Sequence, residues 1–279
     1  MKLLEDLIMD KTTIGDRMKN NYENITRYYL TRRMPVIIRI DGKAFHTFTK
    51  GLKKPFDDIF VKTMQETMKY LCENIQGCVL GYTQSDEISL VLTDYAELTT
   101  DAWFGKNLQK MCSVSASMAT MAFNNHFLWN WEEENRWAYR PDGTKEEREY
   151  ATTLYKKIGK AMFDSRVFTI PKEEVCNYLI WRQQDATRNS IQSVGQANFS
   201  QKELHGKSCN NIQDMLMTQK GINWNDYSTT LKRGSCCIKT VIQDPDVDIK
   251  DGACPISKWV IDNEIPIFTQ DRNYVERLI

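Results

Sequence analysis

The spacing of apolar residues predicts a helix followed by a buried strand at the start of the chain. Residues 1–34 have the spacing of an amphipathic helix, and Pro35 ends it because proline has no backbone N–H and restricts the residue before it. Apart from Arg39, residues 36–40 are β-branched and apolar, as in a central strand. Asp41 and Gly42 then give a turn signal, so we expect this strand to end there.

The following segments complete a sheet with two helices. Residues 57–75 have helical spacing, and residues 79–83 and 88–92 are predicted as two strands joined by a short hairpin connection. A long helix over residues 102–127 and a fourth strand over residues 166–170 come next. The order strand, helix, strand, strand, helix, strand predicts an α+β, ferredoxin-like fold, in which an antiparallel sheet carries its helices on one face.

The C-terminal part of the chain has a different pattern. Helices are predicted over roughly residues 172–220, and two strand-like stretches follow at residues 235–242 and 258–269. We therefore expect a catalytic domain over residues 1–171 and a mainly helical region over residues 172–279 that packs on it.

Composition narrows the class of protein. Hydrophobic residues make up 41% of the chain, which allows a packed core. No apolar run approaches the ~20 residues of a membrane-spanning helix, and the N-terminus lacks a signal-peptide pattern, so we expect a cytoplasmic protein with no membrane partner. The eight cysteines include no CxxC pair, and only three histidines accompany them, so a zinc site is not expected.

Charge is balanced overall but uneven along the chain. Lysine and arginine together number 37, as do aspartate and glutamate, so binding of nucleic acid through bulk charge is not indicated. From Arg32 to Lys54, however, seven basic residues surround one acid, Asp41. From charge alone, a solvated basic face explains this run equally well.

Two aspartates are candidates for a metal site. Asp41 follows the first strand, and Asp86 lies in the hairpin between the second and third strands. If those strands are neighbours, the two carboxylates converge, and carboxylates without histidines favour Mg²⁺ or Mn²⁺. Two such ions about 4 Å apart can promote phosphoryl transfer. The alternative is that both aspartates only cap local turns. Glu87 should face away from Asp86 if its strand is regular.

Residues close to these aspartates suit a triphosphate. Gly42 has no Cβ and lets the backbone approach a metal or phosphate. Lys53 and Lys54 are placed to neutralise phosphate charge, and Lys43 and His46 lie just after Asp41. His46 taken alone is more often a packed or surface histidine than a catalytic one.

Several segments together resemble the tRNA-His guanylyltransferase family, which contains the 3′-to-5′ nucleic-acid polymerases. The segments are RIDGKAFHTF at 39–48, KPFD at 54–57, GYTQSDEIS at 81–89, FDSRV at 163–167 and WRQQD at 181–185. The resemblance covers about residues 30–200, and the two acidic motifs are specific in combination.

The resemblance implies a polymerase-like palm within residues 1–171 and a set of site residues. Asp41, Asp86 and the Gly42 carbonyl are implied as ligands of two Mg²⁺ ions, and Glu87 joins the aspartates as a catalytic candidate. The implied nucleotide contacts are Asp41, Gly42, Lys43, Ala44, Phe45, His46, Lys54, Asp57, Ser85 and Asp86. The implied contacts to tRNA or to a second triphosphate are Arg39, Arg166, Arg182, Asn189 and Lys207.

The resemblance also implies a reaction. ATP or GTP first activates the 5′-monophosphate end of a tRNA, and the 3′-hydroxyl of an incoming nucleotide then attacks the activated end. ATP, GTP and tRNA are therefore the expected substrates. Relatives commonly form tetramers, so a homotetramer built as a dimer of dimers is expected.

One segment departs from the tRNA-His-specific pattern. That pattern has a His-Ile-Asn-Asn-type segment after the Trp-Arg-Gln motif, whereas this chain has Thr187, Arg188, Asn189 and Ser190. The stretch 193–200, with Gly206, Lys207 and Ser208, instead resembles the bacterial and archaeal guanylyltransferase-like branch, which is associated with template-dependent repair of 5′-truncated tRNA. We therefore favour templated addition to truncated tRNA over addition of one guanosine to tRNA-His. A non-catalytic tRNA-binding protein and a nucleotide cyclase are the alternatives from other classes.

Overall fold

An antiparallel sheet of six strands organises the part of the chain that the computed structural model describes, residues 13–135, 143–242 and 256–279. The strands are β1 (Val36–Gly42), β2 (Cys78–Gln84), β3 (Glu87–Leu92), β4 (Phe163–Thr169), β5 (Ser235–Ile242) and β6 (Ile256–Asp262). Their order across the sheet is β4-β1-β3-β2-β5-β6, and every neighbouring pair is antiparallel. The first four strands therefore have the order that the sequence pattern predicts for a ferredoxin-like unit.

Helices connect and cover these strands. The α-helices are α1 (Ile14–Met18), α2 (Phe45–Phe48), α3 (Asp58–Asn74), α4 (Leu108–Asn135), α5 (Lys145–Tyr155), α6 (Lys172–Asn198), α7 (Gln201–Leu204), α8 (Cys209–Met215), α9 (Thr229–Arg233) and α10 (Asn273–Glu276). Short π-helical segments lie at Lys19–Glu23 and Leu216–Lys220, and 3-10 turns at Asn24–Thr26, Trp103–Lys106 and Trp224–Asp226. None of the helices in these described ranges has an apolar stretch long enough to cross a membrane.

The alternation of side chains along β1 explains why the sheet is covered on both faces. Ile38 and Ile40 point into a core formed with α3 and α4. Ile37 points to the opposite face, where α6 packs its own apolar residues, including Leu179. The helices of the β-α-β-β-α-β unit thus share one face, as expected, but the first helix of the C-terminal part covers the other. Burial on both sides accounts for the continuous apolar run in β1.

Several predicted boundaries were wrong. The N-terminal helical segment ends at Thr26 rather than residue 34, and its predicted first 12 residues lie outside the described ranges. The long helix begins at Leu108 rather than residue 102, because Phe104 and Gly105 adopt positive φ angles of 48° and 58° in the turn before it. The first strand does not end at a turn at Asp41 but continues through Gly42.

The two late strands extend the same sheet. β5 pairs with β2 from Thr83 to Leu80, and β6 pairs with β5 along its length. The C-terminal part also builds a small core of its own, in which Ile191 and Val194 of α6 pack against Ile212 and Trp224. Beside this core, Ser190 of α6 donates a hydrogen bond to the carbonyl of Leu231 in α9, and β5 begins at Ser235, the partner of Thr83 next to the β2–β3 turn.

Candidate active site

Asp41 and Asp86 lie side by side at the ends of neighbouring strands. Asp41 is the cross-strand partner of Glu87, and the backbone N–H of Gly42 donates a 3.0 Å hydrogen bond to the carbonyl of Asp86. Ser85, with a φ of 54°, and Asp86 form the tight turn between β2 and β3. The convergence expected from the sequence is therefore produced by register, with Asp41 paired in the sheet rather than placed in a turn.

The negative charges of Asp41 and Asp86 at this edge of the sheet are only partly balanced by nearby positive groups. Burial raises the pKa of Asp86 above its usual value, and the nearby Asp41 charge adds to this, although the 3.0 Å hydrogen bond from Ser85 Oγ opposes it. The Asp41 carboxylate has Arg166 Nη1 at 3.5 Å and Arg39 Nη2 at 3.9 Å. A cation between the two aspartates would stabilise both in their ionised forms.

Glu87 is held by arginines on the face of the sheet that α6 covers. Its Oε2 accepts from Arg39 Nη2 at 2.5 Å, and its Oε1 lies 2.7 Å from Arg182 Nε. Burial raises the pKa of Glu87, while the two arginines oppose that rise. Arg182 also donates to Asp185 at 2.7 Å, and Asp185 accepts from Arg188 as well. Both Glu87 oxygens are thus occupied by protein groups, which favours a role in positioning.

Trp181 lies against this arginine network. Its ring centroid is 4.2 Å from the Arg182 guanidinium carbon and 5.7 Å from that of Arg39. Arg182 is buried, whereas Trp181 is about half exposed. Both distances are within the range of cation–π contacts, which help to hold the two guanidinium groups near Glu87.

Seven of the ten nucleotide contacts implied by the resemblance line two cavities, both bordered by the segment 43–49, whereas Asp41, Gly42 and Asp86 line neither cavity. The first cavity, which we call the turn cavity, has a volume of about 330 Å³ and contains His46, Lys54, Asp57 and Ser85 in its lining. The second has about 440 Å³ and is lined in part by Lys43, Ala44 and Phe45. Phe45 itself is buried, stacked 4.9 Å from Phe48.

Asp57 has a structural role that sequence reasoning missed. Its carboxylate accepts hydrogen bonds from the backbone N–H groups of Lys53 and Phe60 at 2.9 and 3.1 Å, which caps α3. Tyr150 of α5 donates its hydroxyl to the same carboxylate at 2.6 Å. The buried Asp57 thus shapes the turn cavity, with its oxygens already bonded to protein donors.

Polar side chains from distant elements complete the turn cavity. Gln65 of α3 donates to Ser235 Oγ at 2.7 Å, and Ser235 lies beside Thr230 at 3.2 Å. These residues line the cavity together with Ser193 and Gln196 of α6. Sequence reasoning missed them because no local motif marks residues that meet only across the fold.

Two of the residues implied to contact tRNA or a second triphosphate lie outside the two cavities. Asn189 is half-buried on α6, and Lys207 is exposed in the turn between α7 and α8. Neither lines the two cavities described above. Arg166 is exposed on β4 and contacts Asp164 as well as Asp41. Of the five predicted contacts to tRNA or a second triphosphate, the three arginines (Arg39, Arg166 and Arg182) therefore lie near Asp41 and its strand partner Glu87.

The side chains at the strand ends suit a hard divalent cation only if substrate phosphates and water supply its remaining ligands. In the described ranges, no group of three or more histidine, cysteine, aspartate or glutamate side chains is arranged to hold a metal ion. Mg²⁺, however, is commonly held by one or two carboxylates together with substrate phosphates and water. Asp41 and Asp86 meet that requirement.

Comparison with known proteins identifies the family. The family model described as tRNAHis guanylyltransferase, Thg1, matches residues 15–171, more than half of the chain. The chain therefore belongs to the tRNA-His guanylyltransferase family, whose members are nucleotidyltransferases.

Similar solved structures and curated proteins support the same family assignment. The fold matches a bacterial tRNA(His) guanylyltransferase (Thg1)-like protein in complex with ATP at a TM-score of 0.78 and 46% identity, covering 96% of this chain and 99% of that one. A second such protein, in complex with GTP, matches at a TM-score of 0.74 and 43% identity, with the same coverage of 96% and 99%. The tRNA(His) guanylyltransferase of Schizosaccharomyces pombe is 28% identical over 241 residues, 80% of this chain and 82% of the relative.

Proposed function

We propose that the protein adds nucleotides to the 5′ end of a truncated tRNA in a Mg²⁺-dependent, template-dependent, 3′-to-5′ reaction. The observation that carries this proposal is the meeting of Asp41 and Asp86 at adjacent strand ends, next to a cavity lined by His46, Lys54 and Ser85. Relatives solved with ATP and with GTP support nucleoside triphosphates as substrates.

The protein's own residues have distinct tasks in this reaction. Bound Mg²⁺, held by Asp41, Asp86 and the Gly42 carbonyl in this palm-like sheet, would supply charge for the attacking and leaving oxygens. Lys54 contributes positive charge in the turn cavity, where the triphosphate of the nucleotide is expected. Glu87 fixes Arg39 and Arg182, so that their guanidinium groups stay behind the carboxylates.

Truncated tRNA is favoured over intact tRNA-His by the segment 187–190. Ser190 is buried there, and its hydroxyl donates to the carbonyl of Leu231 at 2.7 Å and accepts from Trp224 Nε1 at 3.0 Å. In this chain that position anchors α9 and the 3-10 turn before it, so its side chain has no free donor for an RNA base. The higher identity to guanylyltransferase-like proteins than to the fungal enzyme supports the same choice.

Substitution of the two aspartates tests the chemistry. We expect Asp41→Ala and Asp86→Ala each to reduce Mg²⁺-dependent nucleotide addition by at least a thousandfold, since removing a metal ligand removes most of the charge stabilisation. Asp101→Asn is the matched control, because Asp101 is exposed near Gln76, at the opposite end of β2. Full activity in either alanine variant, with circular dichroism showing both folded, would refute the proposal.

The choice of RNA is tested separately with purified protein, Mg²⁺, ATP and GTP. A tRNA that lacks its 5′-terminal nucleotide is compared with intact tRNA-His, and with a truncated tRNA whose 3′ template base has been changed. We expect the added nucleotide to follow the changed template base. Addition of guanosine to intact tRNA-His alone, whatever the opposing base, would establish the tRNA-His-specific enzyme instead.

The proposed assembly is a homotetramer, a dimer of dimers. Large apolar side chains are exposed on the N-terminal segment, among them Ile14, Tyr22, Ile25 and Tyr28. Clusters of this kind mark contacts between proteins. Light scattering coupled to size-exclusion chromatography measures the mass, and a monomeric mass at micromolar concentration would contradict the assembly.

A further inference from the structure

The second cavity is strongly basic. Four lysines line it, Lys43 from the end of β1 and Lys156, Lys157 and Lys160 from the turn that follows α5. No aspartate or glutamate is among its lining residues, and its volume is about 440 Å³. We call it the lysine cavity.

The charges of these lysines are not neutralised by protein groups. Among the described residues, none of the four forms an ion pair with a carboxylate. Lys157 donates to the backbone carbonyl of Phe48, and its Nζ lies 5.5 Å from the centroid of the Phe48 ring. Burial and the positive charge of Lys160 lower the pKa of Lys157. An anion in the cavity would relieve this repulsion.

The lysine cavity is adjacent to the catalytic edge of the sheet. Lys43 follows Asp41 by two residues, and its backbone N–H donates to the carbonyl of Met162 at 2.9 Å. That hydrogen bond joins the cavity wall to the start of β4, where Asp164 pairs with Asp41. Under the proposed function the 5′ end of the RNA lies at Asp41, so the neighbouring lysine cavity is placed for the phosphates that follow.

The lining selects phosphate rather than a whole nucleotide. Phe45 is buried, and the half-buried Phe48 is stacked 4.9 Å from Phe45 and has Lys157 Nζ 5.5 Å from its ring centroid, so both rings already have partners where a base would stack. The remaining polar side chains, Thr47 and Thr153, provide little to read a base edge. Contacts through lysine alone are typical of recognition of a nucleic-acid backbone.

We infer that the lysine cavity binds backbone phosphates of the substrate RNA near its 5′ end. The identity of the RNA rests on the proposed function, but the binding itself does not require catalysis. The nearest alternative source of the same phosphate chemistry is the triphosphate of a free nucleotide.

The test measures affinity for tRNA as a function of salt concentration, by fluorescence anisotropy and without nucleotides. The variant is Lys156→Ala/Lys160→Ala, because both lysines are exposed and Lys157 holds the Phe48 carbonyl. We expect the slope of log affinity against log salt to become shallower by about 0.7 to 0.9 for each lysine removed. Affinity near 0.1 M salt should fall on the order of tenfold or more.

Two matched variants control the experiment. Lys156→Arg/Lys160→Arg keeps the charge and should retain the wild-type slope. Lys172→Ala/Lys239→Ala removes two exposed lysines toward the opposite end of the sheet and should also leave the slope unchanged. Thermal unfolding confirms that each variant folds.

Two results would overturn the inference. One is an unchanged slope and affinity for tRNA in the alanine variant. The other is unchanged tRNA affinity with a raised KM for ATP or GTP, which would assign the cavity to a free triphosphate. Failure of the proposed function is recognised separately, because the wild-type protein would then bind tRNA with the lysine-dependent slope but add no nucleotide to it.

Discussion

Arg182 and Glu87 are 95 residues apart in the chain, yet Arg182 Nε lies 2.7 Å from Glu87 Oε1. Arg182 belongs to α6 and Glu87 to β3, so this ion pair ties the covering helix to the strand that follows Asp86. Arg39 of β1 contacts the other oxygen of the same carboxylate. Glu87 therefore positions both Arg39 and Arg182 on the face of the sheet to which Asp41 also points.

Replacement of Glu87 by glutamine should destabilise the protein. The change removes one of the two carboxylates that contact the buried Arg182 among the described residues and leaves Asp185 as the other, and loss of one member of a buried pair costs about 3 kcal/mol. The free energy of unfolding in urea at neutral pH measures the loss. Glu73→Gln is the matched control, because Glu73 is exposed and its 3.9 Å pair with Lys69 is a surface pair worth less than about 0.5 kcal/mol. Equal losses in the two variants would contradict the positioning role.

Replacement of Gly42 by alanine should disrupt the candidate active site through a steric clash with Phe45. A Cβ at this position would lie 2.3 to 2.7 Å from ring carbons of Phe45. Phe45 cannot move aside, since Phe48, Phe60, Phe123 and Phe163 surround its ring. We expect destabilisation of about 1 to 3 kcal/mol and a large loss of activity.

Gly15→Ala provides the comparison for that variant. Gly15 is exposed in α1, and its added Cβ would have only an ordinary 3.6 Å contact with Thr13 Oγ1. Alanine in a helix is favoured over glycine by about 0.5 to 1 kcal/mol. Thermal unfolding should therefore show a lower melting temperature for Gly42→Ala and a higher one for Gly15→Ala. An unchanged melting temperature for Gly42→Ala would exclude close packing against Phe45 as the reason for glycine at this position.

Replacement of Ser190 by alanine should weaken nucleotide binding indirectly. The change leaves Trp224 Nε1 and the Leu231 carbonyl without their shared partner, at a cost of about 1 to 3 kcal/mol. Leu231 and Thr230 line the turn cavity, so we expect a raised KM for the nucleotide. Steady-state kinetics and urea denaturation measure the two effects. Ser113→Ala, at an exposed position of α4, should change neither, and the same result for Ser190→Ala would disprove the anchoring role.

His126 should make stability fall at mildly acidic pH. Burial lowers the pKa of His126 below 6.5, although Glu66, whose Oε2 is 3.5 Å from His126 Nδ1, opposes the shift. The folded protein therefore binds fewer protons than the unfolded chain, and stability is lost as pH drops below 6.5 toward the lowered value. Unfolding free energies between pH 8 and pH 5 should decrease less for His126→Gln than for the wild type.

The exposed His205 offers a control for this pH dependence. His205→Gln should follow the wild-type pH profile. If His126→Gln also follows it throughout, the pH dependence arises from other groups and the prediction is wrong.

The sequence by itself determined the elements that carry the site. The apolar run of residues 36–40 and the two flanking apolar segments of the hairpin predicted three strands, and the helical spacing of residues 57–75 predicted α3 closely. Local patterns suffice for this, because each side chain's neighbours along one element follow from the period of that element. The motif residues Asp41 and Asp86 were recognisable for the same reason, being adjacent to these elements.

Only the tertiary structure decided which of these residues meet. The pairing of Asp41 with Glu87 depends on strand register, and a slip of one residue would reverse the faces of every side chain. The joining of β5 to β2, the Arg182–Glu87 ion pair and the lining of both cavities depend on elements far apart in sequence. Such contacts are fixed by the packing of whole helices on the sheet, which no local pattern of hydrophobic and polar residues specifies.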